Sequence, residues 1–108
     1  MTTCGEKPSS DRERRIVDVL MALDAGEVTT YGDVAEVAGH PKMSRLVGRI
    51  LAETDIDVPW WRVVNASGRL VPGNEPEQTT LLLAEDVIVR NGRVWSAPIG
   101  RFHRTVGV

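Results

Sequence analysis

The chain offers little covalent or metal chemistry. Its one cysteine, Cys4, cannot close an internal disulfide. A single thiol suits a reducing compartment. The two histidines, His40 and His103, stand far apart without ligand-like spacing, so no metal and no cofactor are expected. No apolar run approaches the roughly 20 residues that cross a bilayer. Residues 1–9 are polar and lack the apolar stretch of a signal peptide. These absences predict a cytoplasmic, monomeric protein with no membrane partner. They also predict an unstructured segment over 1–9 and one folded domain over 10–108. A basic excess is missing too, since the formal net charge is −2. That balance argues mildly against a nucleic-acid partner. The distribution argues the other way. From Lys42 to Arg69, the five cations Lys42, Arg45, Arg49, Arg62 and Arg69 meet only Glu53, Asp55 and Asp57. A solvated mixed-charge surface remains an equal reading of charge alone.

What is present is mostly helical pattern. Ser10-Asp11-Arg12-Glu13 has the form of a capping box, followed by Ile16, Val19, Leu20 and Leu23 on one helical face. Gly26 is placed to end this first helix. Thr30 is a plausible cap for a second helix over 31–38, stopped by Gly39. Pro41 suits the first turn of a third helix running to Glu53. Met43, Leu46, Val47 and Ile50 form its apolar face, while Arg45, Gly48, Arg49 and Ala52 form the opposite one. A face of cations and very small residues lets a backbone press close to another surface. An ordinary exposed face with a packing glycine fits as well. The spacing then predicts a hairpin of 62–64 with 69–71 around Asn65-Ala66-Ser67-Gly68, a turn at 72–74 and a fourth helix over 75–86. A type I′ hairpin follows around Asn91-Gly92. No pattern is evident after Ser96. The fold class expected is mainly α with small β: a winged helix-turn-helix single domain with a wing hairpin, then a C-terminal helix and hairpin.

Pro59-Trp60-Trp61-Arg62-Val63 is the most unusual segment. Adjacent tryptophans can plug a core, each needing a partner for its N–H. They can equally line a pocket. Three segments together resemble a known family: Val28-Thr29-Thr30-Tyr31-Gly32-Asp33-Val34-Ala35, His40-Pro41-Lys42-Met43-Ser44-Arg45-Leu46-Val47-Gly48, and Pro59 to Gly68. In order and spacing they are similar to the C-terminal domain of O6-alkylguanine-DNA alkyltransferases. The likeness spans about residues 11–73. Those enzymes carry Pro-Cys-His-Arg-Val, whose cysteine accepts the alkyl group. Here Trp60 stands at the cysteine and Trp61 at the histidine. Alkyl transfer needs an activated thiolate, and indole cannot supply one at neutral pH. Tryptophan at that position resembles the alkyltransferase-like subfamily.

The resemblance implies a protein without enzymatic activity. It would bind double-stranded DNA containing O6-alkylguanine through the minor groove, flip the damaged nucleotide and mark it for nucleotide excision repair proteins. Arg45 matches the arginine that fills the vacated stack. Tyr31, fourteen positions earlier, matches the tyrosine that rotates the lesion's 3′ phosphate. Trp60 would line the pocket, with Val63, Asn65 and Ser67 at its walls. Thr30, Lys42, Ser44, Gly48, Arg49 and Arg69 would meet the DNA backbone. Other classes remain: a winged-helix transcription regulator, a protein-interaction domain using the tryptophans as an apolar surface, and an enzyme relying on Cys4.

Overall fold

The computed structural model describes residues 11–103. The expected capping serine, Ser10, the N-terminal segment and Cys4 lie outside them. Four helices form: α1 (Asp11–Met21), α2 (Tyr31–Val37), α3 (Ser44–Glu53) and α4 (Glu75–Leu83). Short strands lie between and after them: β1 (Glu27–Thr30) and β2 (Val63–Val64) between helices, then β3 (Ile88–Arg90), β4 (Arg93–Ser96) and β5 (Ile99–Gly100) beyond α4. A 3-10 turn, Trp60–Arg62, leads directly into β2. The mainly helical single domain with small sheets is as the pattern implied.

One pairing and several helix ends differ, α1 closing at Met21 well before Gly26. Segment 62–64 does not ladder against 69–71. Instead β1 is the middle strand of a parallel sheet ordered β2-β1-β5, with Thr29 opposite Val63 and Thr30 opposite Val64. The expected hairpin survives only as a turn, closed by Gly68 N–H to Asn65 O at 2.9 Å. Both β2 residues are fully buried, so a partner inside the fold wins over the sequence-adjacent one. The third helix begins at Ser44 rather than Pro41. Lys42 takes φ +77°, a left-handed geometry that interrupts a helix. The fourth ends at Leu83, with Asp86 at φ +66°. The type I′ turn forms as read: Asn91 and Gly92 have φ of +53° and +75°.

Two interiors result. One holds Ile16 and Leu20 of α1, Val34 and Ala35 of α2, Val47 and Ile50 of α3, and Val63. The other holds Val28, Val64, Leu70, Leu82, Val87 and Val94. Consecutive valines of β2 thus face opposite interiors, as side chains of a strand must.

Candidate nucleic-acid interface

Thr30 ends β1 and caps α2, its buried Oγ1 accepting the Asp33 N–H at 3.1 Å. Strand therefore passes into helix without a loop, and Tyr31 emerges at a fixed place. The Tyr31 ring is half-buried against the α1–α3 interior. Burial pushes its phenol above the ordinary value. Tyr31 lines a cleft of about 460 Å³ with Gly48, Leu51 and Ala52 of α3, Trp60, Val71, Asn74 and Glu77. Trp60 is half-buried there. The two indoles stand edge to face, with centroids 6.3 Å apart at 89°. The core-plug reading thus applies to neither ring in full. Trp60 opens on a cleft, and Trp61 packs on the second interior.

Gln78 ties the walls of this cleft together from behind. It is fully buried. Its Nε2 donates to Trp61 O at 3.1 Å and Val63 O at 3.3 Å, and its Oε1 accepts Val71 N–H at 2.7 Å. A buried amide with these partners is well satisfied. Trp61 is held by a second knot. Its Nε1–H donates to Glu85 Oε2 at 2.8 Å. Arg62 clasps the same carboxylate, at 3.0 Å from Nε to Oε1 and 2.7 Å from Nη2 to Oε2. Arg62 also reaches Leu23 O at 2.8 Å, and Gly26 N–H reaches Glu85 Oε1 at 2.8 Å. Burial alone would raise the Glu85 carboxyl. The hydrogen bonds from Arg62, Gly26 and Trp61, with the Arg62 charge, outweigh it and hold the group below the usual range.

The exposed stripe of α3 splits along its length. Gly48 and Ala52 look into the Trp60 cleft. Arg45 and Arg49 turn to the other side, where they surround a second opening of about 420 Å³ with Arg12, Lys42, Met43 and Leu46. Ser44 is half-buried as the first residue of α3. Arg49 lies 3.5 Å from Glu13, an exposed pair that constrains it little. A Cβ at Gly48 would touch nothing within 4 Å, so packing inside the domain does not require the glycine.

Three expected wall residues sit elsewhere. Val63 is 0% exposed and belongs to the α1–α3 interior, so its side chain does not reach the cleft. Asn65 spends its Oδ1 on its own turn, accepting Ser67 and Arg69 N–H at 2.9 Å each. Ser67 and Arg69 border a different opening, with Arg90 and Arg93 of the hairpin. In their place, Leu51, Val71, Asn74 and Glu77 complete the walls. An apolar groove of about 330 Å³ between α1 and α2, lined in part by Asp33 and Val34, holds none of the expected site residues. The Trp60 cleft offers two aromatic rings, Trp60 and Tyr31, an apolar floor, and amide and carboxylate edges. A flat heteroaromatic with polar edges suits it.

Residues 11–87 match the family model described as the DNA-binding domain of 6-O-methylguanine DNA methyltransferase. The chain belongs to that family. Within it, an 80-residue stretch is 41% identical to the DNA base-flipping protein of Escherichia coli. That stretch is 70% of this chain and 62% of the relative, so the match spans about three fifths of the curated protein. Alkyltransferase-like protein 1 of Schizosaccharomyces pombe is 33% identical over 52% of this chain and 54% of its own length. The family also includes enzymes: a methylated-DNA–protein-cysteine methyltransferase of Mycolicibacterium paratuberculosis is 37% identical over 68% of this chain and 48% of its own. Among solved structures, S. pombe Atl1 bound to damaged DNA containing O6-carboxymethylguanine superposes with a TM-score of 0.68. That match has 27% identity and covers 78% of this chain and 83% of the other.

Proposed function

We propose that this family member binds double-stranded DNA containing O6-alkylguanine, turns the damaged nucleotide out of the stack and leaves the alkyl group in place. The observation that carries the reading is the half-buried Trp60 ring on the wall of a cleft of about 460 Å³, facing the small residues Gly48 and Ala52.

The minor groove is the site of entry. It is narrow, and only a helix with small residues can bring its backbone close. Gly48 and Ala52 provide that strip, with Arg45 and Arg49 beside it to reach past the sugar-phosphate edge. Turning out a base costs a few kcal/mol, least when its pairing is already weakened. One aromatic–base contact returns roughly 1–3 kcal/mol, so stacking on Trp60 offsets most of the cost for a lesion and less of it for an intact pair. Arg45 fills the gap, its planar guanidinium bonding the orphaned partner base. Tyr31, a neutral phenol at physiological pH, crowds a phosphate without adding a negative charge. Apolar wall from Leu51 and Val71 favours the alkyl group at about 25 cal/mol per Å² buried.

No thiolate is placed at Trp60, so the complex ends at recognition. A bent, protein-marked lesion is then what nucleotide excision repair proteins would meet, in a cytoplasmic protein acting as a monomer. The likeness to the base-flipping protein of Escherichia coli and to the Atl1 complex with O6-carboxymethylguanine DNA supports this reading.

Binding to matched duplexes carrying O6-methylguanine or guanine tests it. The lesion duplex is expected to bind more tightly, and equal affinities would remove lesion recognition. Intact-mass measurement after incubation is expected to show no added methyl. A gain of about 14 Da, one CH₂, would make the protein an alkyl acceptor.

A further inference from the structure

Three arginines meet where the β3–β4 hairpin docks on the 65–70 turn. Arg90 and Arg93 are cross-strand partners on either side of Asn91-Gly92. Arg69 bridges Arg93 from the opposite edge. Val94 N–H to Gly68 O at 2.8 Å and Leu70 N–H to Gly92 O at 3.0 Å fix this register. Gly68 permits the approach: at φ +81°, a Cβ there would come within 3.2 Å of Val94 O.

Directly opposed residues on such a ladder stand about 5 Å apart at Cβ, where like charges repel. All three arginines are exposed. Among the described residues none pairs with a carboxylate; the ion pairs there are Arg49–Glu13, Arg62–Glu85 and Arg101–Asp33. Arg90 instead lies over the Trp95 ring, 4.3 Å from its centroid. A guanidinium laid on an aromatic face keeps its N–H donors at its edge, ready for oxygen ligands. With Ser67 and Asn91 these groups border a cleft of about 610 Å³.

The cleft adjoins the Trp60 site. Arg69 is exposed, Leu70 buried and Val71 half-buried, so one enclosed residue separates two that open to the surface. Val71 lines the Trp60 cleft and Arg69 the basic one. Residues two apart in a chain stand at most about 7 Å apart, the rise of roughly two nucleotides along a duplex strand.

We propose that the Arg69–Arg90–Arg93 cleft is a second DNA-backbone site, taking phosphodiester oxygens of the duplex flank beside the flipped nucleotide. Its placement rests on the lesion-binding reading above. Guanidinium forks take two oxygens of one phosphate each. A strand with charges spaced along it relieves all three repelling cations at once, which one free phosphate does not.

The test uses the full chain, O6-methylguanine duplexes and fluorescence anisotropy across a salt series. One duplex ends just beyond the lesion; the other extends at least a helical turn, about 10 base pairs, on each side. Arg90→Gln/Arg93→Gln is expected to lower the slope of log K against log salt by about 1.8 on the long duplex, at 0.9 per phosphate contact. It is expected to match the parent on the short duplex and to keep the parent's ratio of lesion to guanine binding. Arg90→Lys/Arg93→Lys is expected to retain most of the slope. An unchanged slope for the glutamine pair on the long duplex overturns the site while the lesion ratio still stands. Loss of as much slope by the lysine pair assigns the effect to the hairpin's folding and overturns it too. If the slope is unchanged but binding to polyglutamate is lost, the cleft belongs to an acidic polypeptide instead. A parent protein without lesion preference would sink the earlier reading alone, because the slope comparison is made within one duplex.

Discussion

Glu85 accepts the indole N–H of Trp61 and the guanidinium of Arg62 on the same oxygen, at 2.8 and 2.7 Å. The related alkyltransferases, by resemblance, have histidine at position 61. Tryptophan keeps a ring N–H donor and lacks a basic nitrogen, so this position can anchor but cannot relay a proton. The anchor joins the start of β2 to the segment following α4 and to the turn before β1.

Replacing the carboxylate shows what the knot is worth. The Arg62 and Glu85 side chains are 14% and 12% exposed, and removing one partner of a pair this buried leaves the other charge unmatched. Glu85→Gln is expected to lower unfolding free energy by about 3 kcal/mol in urea titrations. The pH dependence follows from the depressed carboxyl. The contribution is present above the unfolded value, 4.5, and is lost as pH falls through the lower folded value. The parent should therefore lose more stability than Glu85→Gln between about pH 5 and the acid limit. Parallel curves for the two proteins would mean that Glu85 is not the titrating group.

Tyr31 is the only tyrosine, so ultraviolet absorbance reports its ionisation without overlap from another phenol. Burial raises its pKa. The folded protein should titrate above 10, and the protein unfolded in denaturant near 10.0. The neutral phenol's contribution to stability is present below the unfolded value and is lost as pH rises through the folded one. A folded-state midpoint at or below the unfolded one would contradict the half-buried placement.

Gly48 separates stability from binding. Nothing lies within 4 Å of a Cβ built there, and glycine costs a helix interior about 1 kcal/mol relative to alanine. Gly48→Ala is expected to raise stability by roughly that amount in chemical denaturation. Gly48→Leu should fold as well, yet bind duplex DNA at least tenfold more weakly, a loss of about 1.4 kcal/mol. Undiminished affinity of the leucine variant would exclude this face of α3 from the interface.

Lys42 sits in the left-handed region at φ +77°, which a side chain occupies at a cost of roughly 1 kcal/mol. It stands two residues before α3 and borders one opening with Arg45 and Arg49. Lys42→Gly should leave the thermal midpoint equal or higher, while the salt slope of DNA binding falls by about 0.9. A lower midpoint with an unaltered slope would mean that the lysine serves the fold and not the ligand.

Local signals in the chain proved legible because their partners are near in sequence. The apolar spacing of Ile16 and Leu20 makes α1, and Asn91-Gly92 closes its hairpin. Tyr31, Gly48, Ala52 and Trp60 do share one cleft. Strand β1 was not legible: four residues, half of them threonine, become a strand only because β2 and β5 arrive from distant parts of the chain. The misplaced wall residue Val63 has the same origin. Read as one arm of a hairpin it could face outward; paired with Thr29 it is enclosed. Asn65 looked like a ligand-facing amide but satisfies its own turn. Asn74 and Glu77 gave no hint, since a turn and a helix start become cleft walls only after Gln78 draws α4 against Trp61 and Val71.

Val63 and Val64 give the short strand β2 two owners, one interior on each side. A partition shared in this way makes the bundle that carries Arg45 and the region that carries Arg93 melt together. Loosening either exposes a valine that the other depends on. Coupling between the two halves of the domain therefore runs through these two residues alongside the Glu85–Arg62 knot, and α3 is tied by that strand to parts of the chain far away in sequence.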